Sequence, residues 1–115
     1  WMADKISINE YADVLKLLAD KTRLIILKIL SETDCCVCVF VEVLDISQPA
    51  VSQHLRKLKD LKLIEEERNK QWVLYSFAQD SKYSDFVQNI LNLIPNNLID
   101  TADVADRMEK IKAND

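Results

Sequence analysis

Apolar residues recur along this chain in two different rhythms. Ile8, Tyr11, Ala12, Leu15 and Leu18 fall at i, i+3, i+4, i+7 and i+10, the spacing of one helix face. Asp20 to Thr22 interrupts that pattern. Leu24 to Leu30 is then almost continuously apolar, which predicts a second helix buried on all sides. Glu32, Thr33 and Asp34 break the run, and Asp34 is placed to cap a third, short helix reaching about Leu44. Asp45-Ile46-Ser47 reads as a turn. Ser47 followed by Gln48 and Pro49 is a helix start, because Ser caps and Pro is tolerated in the first turn. In that fourth helix, running to about Leu61, Val51, Leu55 and Leu58 point inward at i, i+4 and i+7. Ser52, Gln53, Arg56 and Lys59 are left outward, a polar, donor-rich face suited to a DNA groove.

The rhythm then changes. Leu63–Arg68 and Trp72–Phe77 are strand-like and flank Asn69-Lys70-Gln71, which predicts a hairpin with Arg68 and Lys70 at its tip. Helical spacing returns with Tyr83, Phe86, Val87, Ile90, Leu91 and Ile94, and Pro95 ends it. A last, weaker helix from Thr101 to Lys112 offers Ala102, Ala105 and Met108. The predicted fold is mainly α with a small β-hairpin: a winged helix-turn-helix, one DNA-binding and dimerisation domain over residues 1–115. Its second motif helix would enter the major groove, and the hairpin tip would lie near phosphates or the minor groove.

Composition sharpens this. The chain has 49% hydrophobic residues, no Gly and two Pro, which disfavours phosphate-cradling glycine loops and many-turn β folds. A monomer of this size buries only about two-thirds of its surface, so further burial by dimerisation fits. No apolar run reaches the roughly 18 residues needed to span a membrane, and no secretory signal opens the chain, so a cytoplasmic protein is expected. The net charge of −4 matters less than its distribution. Arg56, Lys57, Lys59, Lys62, Arg68 and Lys70 make the middle of the chain the more basic part, diluted by Glu65, Glu66 and Glu67.

Three cysteines, Cys35, Cys36 and Cys38, lie within four positions. An odd, clustered set makes no disulfide framework; in a reducing compartment it reads as metal binding or redox chemistry. Buried packing is the plainer alternative. A thiol enzyme fits poorly, since no His and only one carboxylate, Asp34, lies beside the thiols. Thiolates are soft ligands and select soft metals and As(III) or Sb(III). With Asp34 as cap, Cys35 and Cys36 would sit in a first helical turn, where amide donors lower a thiol pKa. Helical residues two apart differ by about 200° around the axis. Cys36 and Cys38 would then meet one ion only if the helix unwound or tilted.

The stretches Leu18–Leu30 and Asp34–Leu58 resemble the ArsR/SmtB family of metal- and metalloid-sensing repressors. Ser47-Gln48-Pro49, Ser52 and His54-Leu55 carry the most specific part of the likeness, which spans about residues 10–94. Cys36 and Cys38 match the Cys-Val-Cys of the family's arsenic and cadmium/lead branches. Cys35 stands where Leu is usual, Val39 where Asp is usual, and Val41 where some arsenic-type members have a further Cys. Asp80 matches part of the zinc branch's site, but no His follows in that helix, so a zinc-type site is rejected. The hairpin also lacks the family's frequent Gly. The resemblance implies a homodimeric repressor, not an enzyme, on double-stranded operator DNA. It implies DNA contacts from Ser47, Gln48, Ser52, Gln53, His54, Arg56, Lys57, Arg68 and Lys70, with His54 either DNA-facing or structural. A cysteine site of Cys35, Cys36 and Cys38 would take As(III) or Sb(III), with Cd(II), Pb(II) and Cu(I) less favoured. The alternative is the same repressor switched by cysteine oxidation or persulfidation.

Overall fold

The computed structural model describes residues 5–69 and 71–114. Helices α1 (Ile8–Leu18) and α2 (Lys21–Leu30) are followed by a two-residue strand β1 (Cys35–Cys36) and helix α3 (Val37–Leu44). Then come α4 (Gln48–Asp60), the hairpin strands β2 (Ile64–Arg68) and β3 (Val73–Phe77), and α5 (Ser84–Asn92). A 3-10 turn (Asn96–Leu98) leads to α6 (Thr101–Ala113). The helix starts are chemically marked. Ser7 and Glu10 form a reciprocal capping box on α1, and the Asp20 carboxylate accepts from the Arg23 N–H at the start of α2.

The inward stripes merge into one core. Val14, Ile26, Leu27, Phe40, Val51, Leu55 and Leu58 are at most 1% exposed. Truncating Phe40, in the middle of α3, would cost about 3–5 kcal/mol through lost burial and the cavity left behind. Among the described residues one charged side chain lies in this core: Lys28 is buried on α2, where it donates to Leu91 O at 3.1 Å and Asn96 Oδ1 at 2.8 Å. It clips α2 to the carbonyl end of α5, a favourable place for a cation. Periodicity alone passed over this contact, because Lys28 sits inside an otherwise apolar run.

Three sequence expectations are corrected. Asp34 does not cap α3: Cys36 holds the N-cap position with extended backbone (φ −93°, ψ 163°) and makes no side-chain cap bond. The run Val37-Cys38-Val39-Phe40-Val41 is preceded instead by a strand, and Cys35 and Cys36 pair with Tyr75 and Leu74 of β3. The wing is therefore a three-stranded antiparallel sheet in the order β1-β3-β2. In α6 the inward residues are Val104 and Met108, while Ala102 is exposed.

In a chain without glycine, two turns use other residues in the left-handed region. Asp45 (φ 53°) makes the α3–α4 turn and Lys62 (φ 61°) ends α4. Lys62 N–H donates to Lys59 O and Leu63 N–H to Leu58 O, closing the helix end. At the wing tip the Asn69 side-chain Oδ1 accepts from the Gln71 and Trp72 N–H groups, both at 2.9 Å. That side-chain-built turn does the work a glycine often does there.

Candidate DNA-binding face and cysteine site

Helix α4 is anchored from its first residue. Ser47 Oγ accepts from the Ala50 N–H at 3.3 Å, and Pro49 occupies the first turn, where its missing N–H leaves no bond unmade. Burial of Val51, Leu55 and Leu58 fixes the rotation of the helix. Ser47, Gln48, Ser52, Gln53, Arg56 and Lys57 are consequently exposed. His54 is only half exposed: its Nδ1 lies 3.4 Å from Nη1 of Arg23, whose Nε donates to Leu17 O. That side chain braces α4 against α2.

Arg68 is exposed on the wing, and Lys70 lies outside the described residues. Arg68 is not unpaired. Glu66 Oε2 accepts from Arg68 Nε at 2.8 Å, while Glu66 Oε1 accepts from Lys59 Nζ and Tyr75 Oη, each at 3.1 Å. The Lys59 ammonium, with Tyr75 and Arg68 behind it, holds the Glu66 carboxyl below the usual carboxylate range. This acid joins α4 to the wing. In the sequence it was hidden among three consecutive glutamates, and only strand alternation singles it out.

The cysteines divide. Cys35 and Cys36 are successive strand residues, so their side chains leave opposite faces of the sheet. Cys35 is fully buried, with its thiol toward Cys36 O at 3.5 Å. Cys36 Sγ lies 2.6 Å from Cys38 Sγ, and Cys38 is exposed. Cys36 and Cys38 thus converge without any unwinding of α3, contrary to the helical expectation. The reason is local: Cys36 is extended, and only Cys38 is helical. The expected lowering of thiol pKa is corrected at Cys35. Burial pushes the Cys35 thiol up, and burial followed by the Cys36 contact pushes Cys38 up to about 11. At Cys35 the desolvation that β1 imposes outweighs any helix-terminus effect. Two soft donors at one point suit a thiophilic ion or metalloid. Among the described residues no three His, Cys, Asp or Glu come together.

A helix-turn-helix whose second helix exposes a polar face, flanked by a β wing, defines a winged helix-turn-helix DNA-binding protein. The family model described as "Bacterial regulatory protein, arsR family" matches residues 20–66. The arsenical resistance operon repressor of Staphylococcus aureus is 31% identical over 112 residues, covering 96% of this chain and 99% of that protein. The chain belongs to the ArsR family and is a DNA-binding transcriptional regulator, not an enzyme. Reduced HlyU from Vibrio cholerae superposes with a TM-score of 0.66 at 29% identity, over 74% of this chain and 84% of that one. The homodimeric winged helix-turn-helix domain Mb0332 from Mycobacterium bovis gives 0.63 at 25% identity, over 80% and 85%.

Proposed function

We propose that this protein is a cytoplasmic homodimeric repressor that binds operator DNA and releases it when Cys36 and Cys38 take up As(III) or Sb(III). Cd(II), Pb(II) and Cu(I) are less favoured inducers. The observation that carries this reading is the 2.6 Å approach of the two thiols at the junction of β1 and α3. The likeness to arsenical resistance operon repressors supports the choice of inducer.

Ser52 and Gln53 are offered to base edges, where Gln pairs bidentately with adenine. Ser47, Gln48, Arg56, Lys57, Arg68 and Lys70 are assigned to the DNA backbone and groove edges. His54 serves them as a brace on α4. Ile8, Leu15, Leu93 and Leu98 are large apolar residues left exposed. They are assigned to a dimer interface, a reading supported by the likeness to a homodimeric domain. Cys35 is assigned to packing, outside the ligand pair.

Coupling follows from position. Cys36 stands opposite Leu74 in the wing sheet and caps the helix that leads through Asp45 to α4. When the two S–H groups give up their protons to a ligand, the β1–α3 junction must adapt. A tenfold loss of operator affinity needs only about 1.4 kcal/mol of such coupling.

The test is fluorescence anisotropy of the DNA upstream of the protein's own gene, with fully reduced protein, before and after arsenite. Salt-dependent binding that arsenite abolishes, and that Cys36→Ser or Cys38→Ser makes insensitive, is expected. Normal arsenite release from both variants would refute it.

The short Cys36–Cys38 contact also favours a second reading, thiol oxidation. Two thiols lose two protons and two electrons to form a disulfide while a peroxide is reduced to water. Release by peroxide or polysulfide and not by arsenite would select it.

A further inference from the structure

Cys36 has a third sulfur beside it. Its backbone N–H donates to Sδ of Met108 at 3.3 Å. Met108 belongs to α6, far along the chain, and is 2% exposed; Cys36 is 1% exposed. A core Met is usually filler. Here the sulfur itself is turned to the cysteine strand, and the helix that carries it is pinned on both sides. Thr101 Oγ1 donates to Glu32 near β1, and Arg107 Nη1 pairs with Glu42 Oε1 of α3 at 2.9 Å.

The cysteine site otherwise lacks a third donor. Cys35 leaves the opposite face of the sheet, and among the described residues no His, Asp or Glu joins the two thiols. The thioether has two lone pairs, and the Cys36 N–H engages one. Only the Cα–Cβ arm separates that N–H from Cys36 Sγ, and Met is the most adaptable of the large apolar side chains.

We propose that Met108 is the third sulfur donor of this site for a soft monovalent d10 cation, Cu(I) or Ag(I). The proposal rests on Cys36 and Cys38 being a thiophilic site. A neutral thioether adds a soft donor without adding charge, which suits a monovalent ion already held by two thiolates. It has no proton to lose, so it cannot form the thiolate-type bond that As(III) takes from a cysteine. Met108 therefore adds to the hold on the monovalent ions a contribution that As(III) does not share. It also makes α6 part of the site.

The experiment compares the wild-type protein, Met108→Leu and the Cys36→Ser/Cys38→Ser double variant. Leu keeps nearly the same apolar volume. Cu(I) affinity is measured by competition with a chromogenic chelator, and arsenite affinity by thiol protection. The ε-methyl carbon resonance of Met108 is followed on adding Ag(I). The protein has two methionines, and the signal lost in Met108→Leu identifies it. The proposal expects Met108→Leu to weaken Cu(I) at least about tenfold with arsenite binding unchanged, and Ag(I) to shift the Met108 methyl. Unchanged Cu(I) affinity, or an equal loss for both ligands, would overturn it, the latter by showing a packing role. Failure of wild-type protein to bind either ligand would sink the underlying thiol site as well. Loss of both ligands confined to the double cysteine variant would leave that site intact and remove Met108 from it.

Discussion

Glu66 is the most informative residue to perturb on the DNA-binding side. It is the one acid that Lys59 of α4 and Arg68 of the wing share, and its side chain is 13% exposed against 50% and 72% for theirs. Glu66→Gln removes the charge and keeps the shape, so the amide oxygen can still accept from Tyr75. Exposed ion pairs contribute at most about 1 kcal/mol each, so the fold should survive. DNA binding should change more. Each phosphate contact adds about 0.9 to the slope of log affinity against log salt. If both cations turn to phosphate, the slope steepens by about 1.8, which is about tenfold in affinity between roughly 200 mM and 50 mM salt. Anisotropy titrations at three salt concentrations, on operator and on unrelated duplex, measure this. The gain should be the same on both, because phosphates carry no sequence information. An unchanged slope, or weaker binding at low salt, would refute the view of Glu66 as a charge that holds two DNA-facing cations back.

The cysteines should separate by role. Cys35→Ala should keep arsenite-driven release and cost about 1–2 kcal/mol in urea unfolding through lost burial. Cys38→Ser should lose release with stability within about 0.5 kcal/mol of wild type; a Cys35→Ala protein blind to arsenite would break the two-thiol assignment. Lys62→Gly should stabilise the protein by about 0.5–1 kcal/mol, since the left-handed cost of a non-glycine residue exceeds the entropy glycine adds to the unfolded chain. A rise of about 2–6 °C in Tm with unaltered DNA binding would be the signature, and a fall would count against strain at this position. Glu10 is held down to about 2 from 4.5, first by Lys82 and then by Tyr83. Its folded pKa is lowered, so its stabilisation is complete above pH 4.5 and is lost as pH falls from there toward 2. Urea midpoints of wild type and Glu10→Gln should therefore converge across that window, and parallel curves would argue against the α1–α5 tie.

The helices were legible from their inward stripes, and α4 also from its start, where Ser47 caps as a side-chain acceptor. The wing was legible from alternation around Asn69. Strand β1 was not. Two residues give no period, and Asp34 before an apolar run resembles a cap whether or not it serves as one. The Val-rich sequence after Cys36 carries β propensity that could have raised the possibility. Pairing with Tyr75 and Leu74, some forty positions away in the chain, decided it. The site was legible as residues and not as geometry. The sequence grouped Cys35, Cys36 and Cys38, whereas the convergence of Cys36 and Cys38 depends on Cys36 being extended, a consequence of that long-range pairing. Lys28 and Met108 were invisible for the same reason: their partners, Leu91, Asn96 and the Cys36 N–H, come from remote elements.

That missed strand also changes what the cysteine site can do. Had Cys36 and Cys38 been two helical residues, a ligand would have acted on α3 by unwinding it, at the cost of several backbone hydrogen bonds. With Cys36 at the strand-to-helix junction, the thiols already face each other, and the junction is shared. On one side β1 is bonded to β3, whose other neighbour β2 carries Arg68 and Glu66. On the other side α3 runs to Asp45, Ser47 and the recognition helix. Cys36 thus lies between a strand paired to the wing and the helix that leads to α4, and Glu66 joins α4 and the wing again through Lys59 and Arg68. On the proposed reading, a small change in the backbone of Cys36 would tilt wing and helix relative to each other. It need not melt either one. If operator binding needs both surfaces to meet one duplex in register, as the proposed function has it, their relative tilt is the quantity a ligand on the thiol pair would change.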